Sequence, residues 1–129
     1  MSENLRTKVM LVEDDVSMLT ILKTLLEFEG FQTVAVERDQ EIAGVADIID
    51  KIRHERPGLL LLDVYFRQIN GLDVLRSLRK DPELNQIRVL ISSGMDHSGE
   101  SKQEGADDFL LKPYMPEDLI QRIRELVGV

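Results

Sequence analysis

The chain has 129 residues, with 16 Lys plus Arg against 24 Asp plus Glu for a formal net charge of -8, and no cysteine. The lack of thiols excludes a disulfide scaffold, an iron–sulfur cluster and a thiolate zinc site, and two histidines, His54 and His97, leave little for a histidine metal site. Any metal is therefore expected to be a hard, oxygen-ligated cation. The acidic balance argues against direct nucleic-acid binding, which rests on Lys and Arg neutralising phosphates.

Met1 to Arg6 shows no basic-then-apolar signal pattern, and apolar runs such as Leu59–Leu62 are far too short to cross a bilayer. A soluble, cytoplasmic protein without membrane insertion is the expectation. A chain of this size buries about two-thirds of its unfolded surface, enough for one domain over residues 1–129 with a core of its own.

In chain order, the apolar runs Val9–Val12, Thr33–Val36, Leu59–Leu62 and Val89–Ser92 read as buried strands, with a weaker fifth at Phe109–Leu111. Their near-continuous apolarity predicts a sheet covered on both faces. Helical spacing lies between them: Leu19, Leu22, Leu25 and Leu26 after the first strand, Ile42, Val45, Ile48, Ile49 and Ile52 after the second, Leu72, Leu75 and Leu78 after the third. A last helix begins near Pro116, with Leu119, Ile120, Ile123 and Leu126 on its inner face. Strands alternating with helices define a parallel α/β sheet. The stretch from Asp96 to Glu104 stands where a fourth helix belongs but has no large apolar side chain to bury; it is either a short exposed helix or an irregular loop.

In doubly wound sheets, ligands bind beyond the carboxyl ends of the strands, where strand order reverses. Here the first strand ends in Glu13-Asp14-Asp15, the third in Asp63, the fourth in Ser92-Ser93-Gly94 and the fifth in Lys112-Pro113. Capping of the next helix accounts for Asp15. Glu13, Asp14 and Asp63 on adjacent strand ends would repel one another unless a cation sat among them, and Mg²⁺ held by carboxylates, a carbonyl and waters fits. Asp63 emerges from a buried leucine strand, and a carboxylate there can act as a nucleophile towards a phosphoryl group. That chemistry needs charge neutralisation more than proton transfer, which a metal and Lys112 would share. Ser93 is either a phosphoryl-oxygen donor or ordinary turn chemistry.

Together these pieces, Val9-Met10-Leu11-Val12-Glu13-Asp14-Asp15, Leu60-Leu61-Leu62-Asp63 with Gly71, Ile91-Ser92-Ser93-Gly94 and Gly105-Ala106-Asp107-Asp108-Phe109-Leu110-Leu111-Lys112-Pro113-Tyr114, resemble the receiver domain of two-component response regulators, of the stand-alone chemotaxis type, over essentially the whole chain. The resemblance implies a flavodoxin-like five-stranded sheet of order 2-1-3-4-5 with a shortened or irregular fourth helix. It implies Asp63 as phosphoacceptor, Glu13, Asp14, Asp63 and the Tyr65 carbonyl as Mg²⁺ ligands, Lys112 and Ser93 as phosphoryl contacts, Ser93 and Phe109 as the switch pair, and a cis Lys112-Pro113 bond. Phe109 read on its own is equally a core residue.

The implied role is a phosphoacceptor switch rather than a turnover enzyme. Its phosphoryl group would come from a histidine kinase or phosphotransfer protein, its downstream target is unknown, and its oligomeric state is open. The alternative is a degenerate receiver that works as a phosphorylation-independent interaction module. A phosphatase reading lacks an Asp-x-Asp at the nucleophile strand, where Asp63-Val64-Tyr65 stands, and no dinucleotide or P-loop glycine motif is present.

Departures from the family pattern fall at an extended region around the second helix and a short interval between Ser93 and Lys112. Arg67 stands where the family usually has proline, so that its loop is either more mobile or holds a charge contact. Met115 stands where an Asp cap is common. No output domain fits within the chain, which leaves docking to another protein, onward phosphotransfer, or a piece of a longer regulator.

Overall fold

The computed structural model describes residues 7–36 and 41–129. Its first half runs β1 (Lys8–Val12), α1 (Val16–Phe28), β2 (Gln32–Ala35), α2 (Val45–Glu55) and β3 (Leu59–Asp63). The chain then makes two short strands, β4 (Tyr65–Phe66) and β5 (Ile69–Asn70), before α3 (Gly71–Lys80), β6 (Arg88–Ser93), α4 (Ser98–Gln103), β7 (Asp108–Leu111) and α5 (Pro116–Val127).

The five principal strands form one sheet of order β2-β1-β3-β6-β7, and every pairing in it is parallel. This is the expected doubly wound order. The apolar runs lack polar alternation because successive residues face two covered sides. Val9, Leu11, Leu59, Leu61 and Leu90 pack with Leu22 and Leu26 of α1 and Leu119 and Ile123 of α5. Met10, Val12, Leu60, Leu62, Val89 and Ile91 point the other way, against Ile48 and Ile52 of α2 and Leu72, Leu75 and Leu78 of α3. Burial of these strand and helix side chains, most of them under 2 % exposed, is worth about 1.5–3 kcal/mol each before chain entropy is charged against it.

Helix starts follow their local chemistry. Asp15 caps α1, its side chain accepting the Met18 N–H at 3.0 Å, and Asn70 caps α3 through the Leu72 N–H at 2.8 Å. α5 begins on Pro116 behind Met115, which makes no side-chain cap. Residues 98–103 resolve the open alternative in favour of a helix, but a short one; Ser101 is its buried residue, so little hydrophobic burial holds it down.

The ribbon of β4 and β5 is not anticipated by the residue pattern. Tyr65 pairs with Asn70 and Phe66 with Ile69, antiparallel, and the buried Phe66 and Ile69 anchor the ribbon to the core. Arg67 sits in its turn with φ 56°, a left-handed backbone that costs a branched or long side chain about 1 kcal/mol. Immediately after it, Gly71 starts α3 pressed against the end of β3. A Cβ at Gly71 would lie 2.3 Å from the Asp63 carbonyl oxygen, and the Gly71 N–H donates to the Val64 carbonyl at 2.6 Å. Only glycine permits that approach.

Candidate functional site

Asp63 ends the central strand β3, flanked by β1 and β6. Chain order reverses here, since β1 leads outward to β2 on one side while β3 lies on its other side. Glu13 and Asp14 follow β1, Ser93 ends β6, and Lys112 follows β7, so all the strand-end residues singled out above gather at one edge of the sheet. The parallel register supports this directly: Asp63 pairs with Ser92, and Ser93 pairs with Leu111, whose neighbour Lys112 donates its N–H to the Ser93 carbonyl at 2.8 Å.

At the centre, the Lys112 ammonium donates to Glu13 Oε1 at 2.7 Å and to Asp63 Oδ2 at 3.0 Å. Glu13 is further fixed by the Asp15 N–H, which reaches its Oε2 at 2.9 Å. Both carboxylates are buried. Burial pushes the Asp63 carboxyl above its ordinary range and Glu13 adds to the push, while the Lys112 hydrogen bond and charge oppose it. For Lys112, burial is the largest single influence and lowers it. The hydrogen bonds and charges of Glu13 and Asp63 together outweigh burial, so its ammonium is held above the ordinary lysine range. Beneath them Tyr114 is pushed up to about 12 by burial, and its hydroxyl has no protein partner among the described residues.

The other expected ligands are placed differently. Asp14 is turned away to Arg67, whose backbone N–H donates to Asp14 Oδ2 and whose Nε lies 4.0 Å from Oδ1. The charge contact raised as one alternative for Arg67 is therefore present. Tyr65 follows Asp63 closely, its N–H lying 3.4 Å from Asp63 Oδ1, a long contact. Among the described residues no three acidic or histidine side chains converge tightly enough to hold a metal ion as they stand. Glu13, Asp14 and Asp63 nonetheless offer only carboxylate oxygens, a donor chemistry that suits a hard divalent cation.

Ser93 is fully buried, its Oγ accepting the Met95 N–H at 3.2 Å. Phe109 lies opposite Ile91 in register and is half-buried against the core face shared with α2 and α3. The Lys112-Pro113 bond is cis, as the resemblance implies.

One feature escaped the residue pattern altogether. The Tyr65 hydroxyl lies 3.2 Å from His97 Nε2, the rings meet edge-on at 5.6 Å, and His97 Nδ1 is 3.0 Å from Glu100 Oε1. This chain joins the segment after Asp63 to the first turn of α4 across 32 residues of sequence. No local spacing signals such a pair.

A parallel, doubly wound sheet with an acid pair, an ammonium and a buried serine at its switch point is the arrangement expected of a receiver domain. Comparison with known sequences bears this out: the family described as Response regulator receiver domain matches residues 9–124, and the chain belongs to it. The DNA-binding response regulator MtrA of Mycobacterium bovis is 30% identical over 95% of this chain and 51% of its own length. The chain thus spans about half the length of the curated relatives it matches. Among solved structures, a response regulator signal receiver domain from Bermanella marisrubri aligns with TM-score 0.80 and 31% identity, covering 95% of this chain and 98% of that one. The receiver domain of sensor histidine kinase PA1611 from Pseudomonas aeruginosa, which has a magnesium ion coordinated in its active site cleft, aligns with TM-score 0.79 over 96% of this chain and 99% of that one. At 19% identity that last likeness is one of fold.

The family is a phosphoacceptor switch of two-component systems and not a conventional enzyme, and receiver domains interact with histidine kinases. Among the described residues no helix is long and apolar enough to cross a membrane.

Proposed function

We propose that the chain is a single receiver domain that accepts a phosphoryl group on Asp63 in a Mg²⁺-dependent reaction, in the cytoplasm, from the phosphohistidine of a kinase or phosphotransfer protein. The observation that carries this reading is the shared Lys112 ammonium, 2.7 Å from Glu13 and 3.0 Å from Asp63, which keeps a nucleophilic carboxylate and a fixed positive charge side by side at the switch point.

In the reaction an Asp63 oxygen forms a bond to phosphorus while the bond from phosphorus to the donor imidazole nitrogen breaks, and that nitrogen keeps the electron pair. The three equatorial oxygens gather negative charge, and Lys112 is placed to neutralise part of it. Glu13 keeps Lys112 oriented before the phosphoryl group arrives. Glu13, Asp14, Asp63 and the Tyr65 carbonyl would hold Mg²⁺, which when bound supplies the remaining charge stabilisation. Ser93, buried beside the Asp63 strand, offers a hydroxyl to a phosphoryl oxygen, and Phe109 on the neighbouring strand would report its movement to the α4 and β7 surface.

A test is radiolabel uptake from acetyl phosphate, with and without Mg²⁺. The reading expects uptake approaching one phosphoryl group per chain with Mg²⁺ and at least a tenfold fall when EDTA removes it. Uptake unaffected by EDTA, or none under any condition, contradicts it and favours a phosphorylation-independent interaction module.

A further inference from the structure

We propose that Arg67 is a positioning residue that gates cation access to the acidic cleft, holding the Asp14 carboxylate on itself until a divalent cation displaces it. The inference rests on the Mg²⁺ reading above and adds to it the device that sets how readily the ion binds.

The acidic residues of the site are divided between two basic ones. Lys112 holds Glu13 and Asp63, whereas Asp14 faces Arg67, bound through the Arg67 N–H to one carboxylate oxygen and 4.0 Å from the Arg67 Nε at the other. Several features keep Arg67 in place. Its φ of 56° turns the backbone so that the N–H points at Asp14, its guanidinium carbon lies 5.0 Å from the centre of the Phe66 ring, and Phe66 is itself buried and fixed. Glu13, Asp14, Phe66 and Arg67 line one cleft of about 450 Å³, so the guanidinium and the Asp14 carboxylate face the same open space.

The consequence is competition. A divalent ion that Asp14 helped to hold would need the Asp14 carboxylate released, and would meet the guanidinium charge as it approached. Both effects weaken the ion, by the order of a partly exposed charge pair. Removing the side-chain charge while leaving the backbone N–H in place should therefore tighten binding.

The test is isothermal titration of MgCl₂ into wild-type chain and the variants Arg67→Lys, Arg67→Gln and Arg67→Gly, read as affinity and not as phosphorylation. Gln and Gly both keep the N–H and lose the charge, and each is expected to bind Mg²⁺ about fivefold more tightly than wild type. Lys keeps the charge and is expected to stay near wild type. A Gln variant that binds no more tightly than wild type overturns the gate, and so does tightening in Gly alone, which would assign the effect to relief of the backbone turn. Wild-type chain that takes no Mg²⁺ overturns the metal reading and the gate with it, an outcome separable from equal affinities across the series.

Discussion

Lys112 donates to Glu13 at 2.7 Å and to Asp63 at 3.0 Å, so a residue that follows the edge strand is held across the sheet by a carboxylate 99 positions earlier. Replacing it uncovers two buried negative charges at once. Lys112→Met is expected to cost about 2 kcal/mol in urea unfolding at pH 7, less than a fully buried pair because the lysine side chain is 22% exposed. The loss should shrink at pH 4 as the raised Asp63 carboxyl takes up its proton, and Asp63→Asn in the Lys112→Met background should recover part of it. A Lys112→Met chain as stable as wild type at pH 7 would show that Glu13 and Asp63 do not depend on this partner.

Asp63 itself is predicted to destabilise the cation-free fold. Its carboxyl is raised by burial above the ordinary value of 3.8, so between 3.8 and the raised value the folded chain binds more protons than the unfolded one. Stability contributed by the protonated form is therefore lost as pH rises through that window, and above it the penalty is complete. Asp63→Asn removes it and is expected to gain on the order of 1 kcal/mol at pH 7, roughly 3–5 °C, with the two proteins converging near pH 4. An Asn variant less stable than wild type at pH 7 would reverse the sign of this account.

Gly71 is predicted to be irreplaceable for packing reasons. Gly71→Ala sets a methyl 2.3 Å from the Asp63 carbonyl oxygen, against backbone that cannot rotate aside, and is expected to cost about 2–3 kcal/mol. Because the clash falls on Asp63, phosphoryl uptake should fall with stability. Chemical denaturation showing a loss below about 0.5 kcal/mol would mean that α3 shifts freely at its start.

The helix caps give a paired prediction. Asp15 accepts the Met18 N–H at 3.0 Å, and Asp15→Ala should cost about 1 kcal/mol. Met115 occupies the same position of α5 with extended backbone, 60% exposed and without a side-chain hydrogen bond, so Met115→Asp should gain up to about 1 kcal/mol. Thermal melts of the two variants should move in opposite directions.

Much of this arrangement is legible in the residues because burial writes a strong pattern. Strands covered on both faces, such as Leu59–Leu62, cannot alternate, and a single Asp or Lys at the end of such a strand stands out against it. Asp63, Glu13 and Lys112 are recognisable for that reason. What the pattern misses is held by contacts without local spacing. Arg67 adopts a left-handed turn with neither glycine nor asparagine to announce it, Tyr65 finds His97 across 32 positions, and the β4–β5 ribbon is too short to show a period. The six residues of α4 lay at the margin between helix and loop because they carry no apolar face, and the structure forms them as a helix closed over the single buried Ser101.

The central claim is that Asp63 carries the phosphoryl group, and borohydride trapping tests it most directly. The chain is incubated with acetyl phosphate and Mg²⁺, reduced with sodium borohydride, which converts an acyl phosphate to an alcohol, and mapped by tandem mass spectrometry. The account predicts homoserine at position 63, with Asp14 and Asp15 unchanged and no conversion in Asp63→Asn. Homoserine at another aspartate position, or conversion that persists in Asp63→Asn, would contradict it.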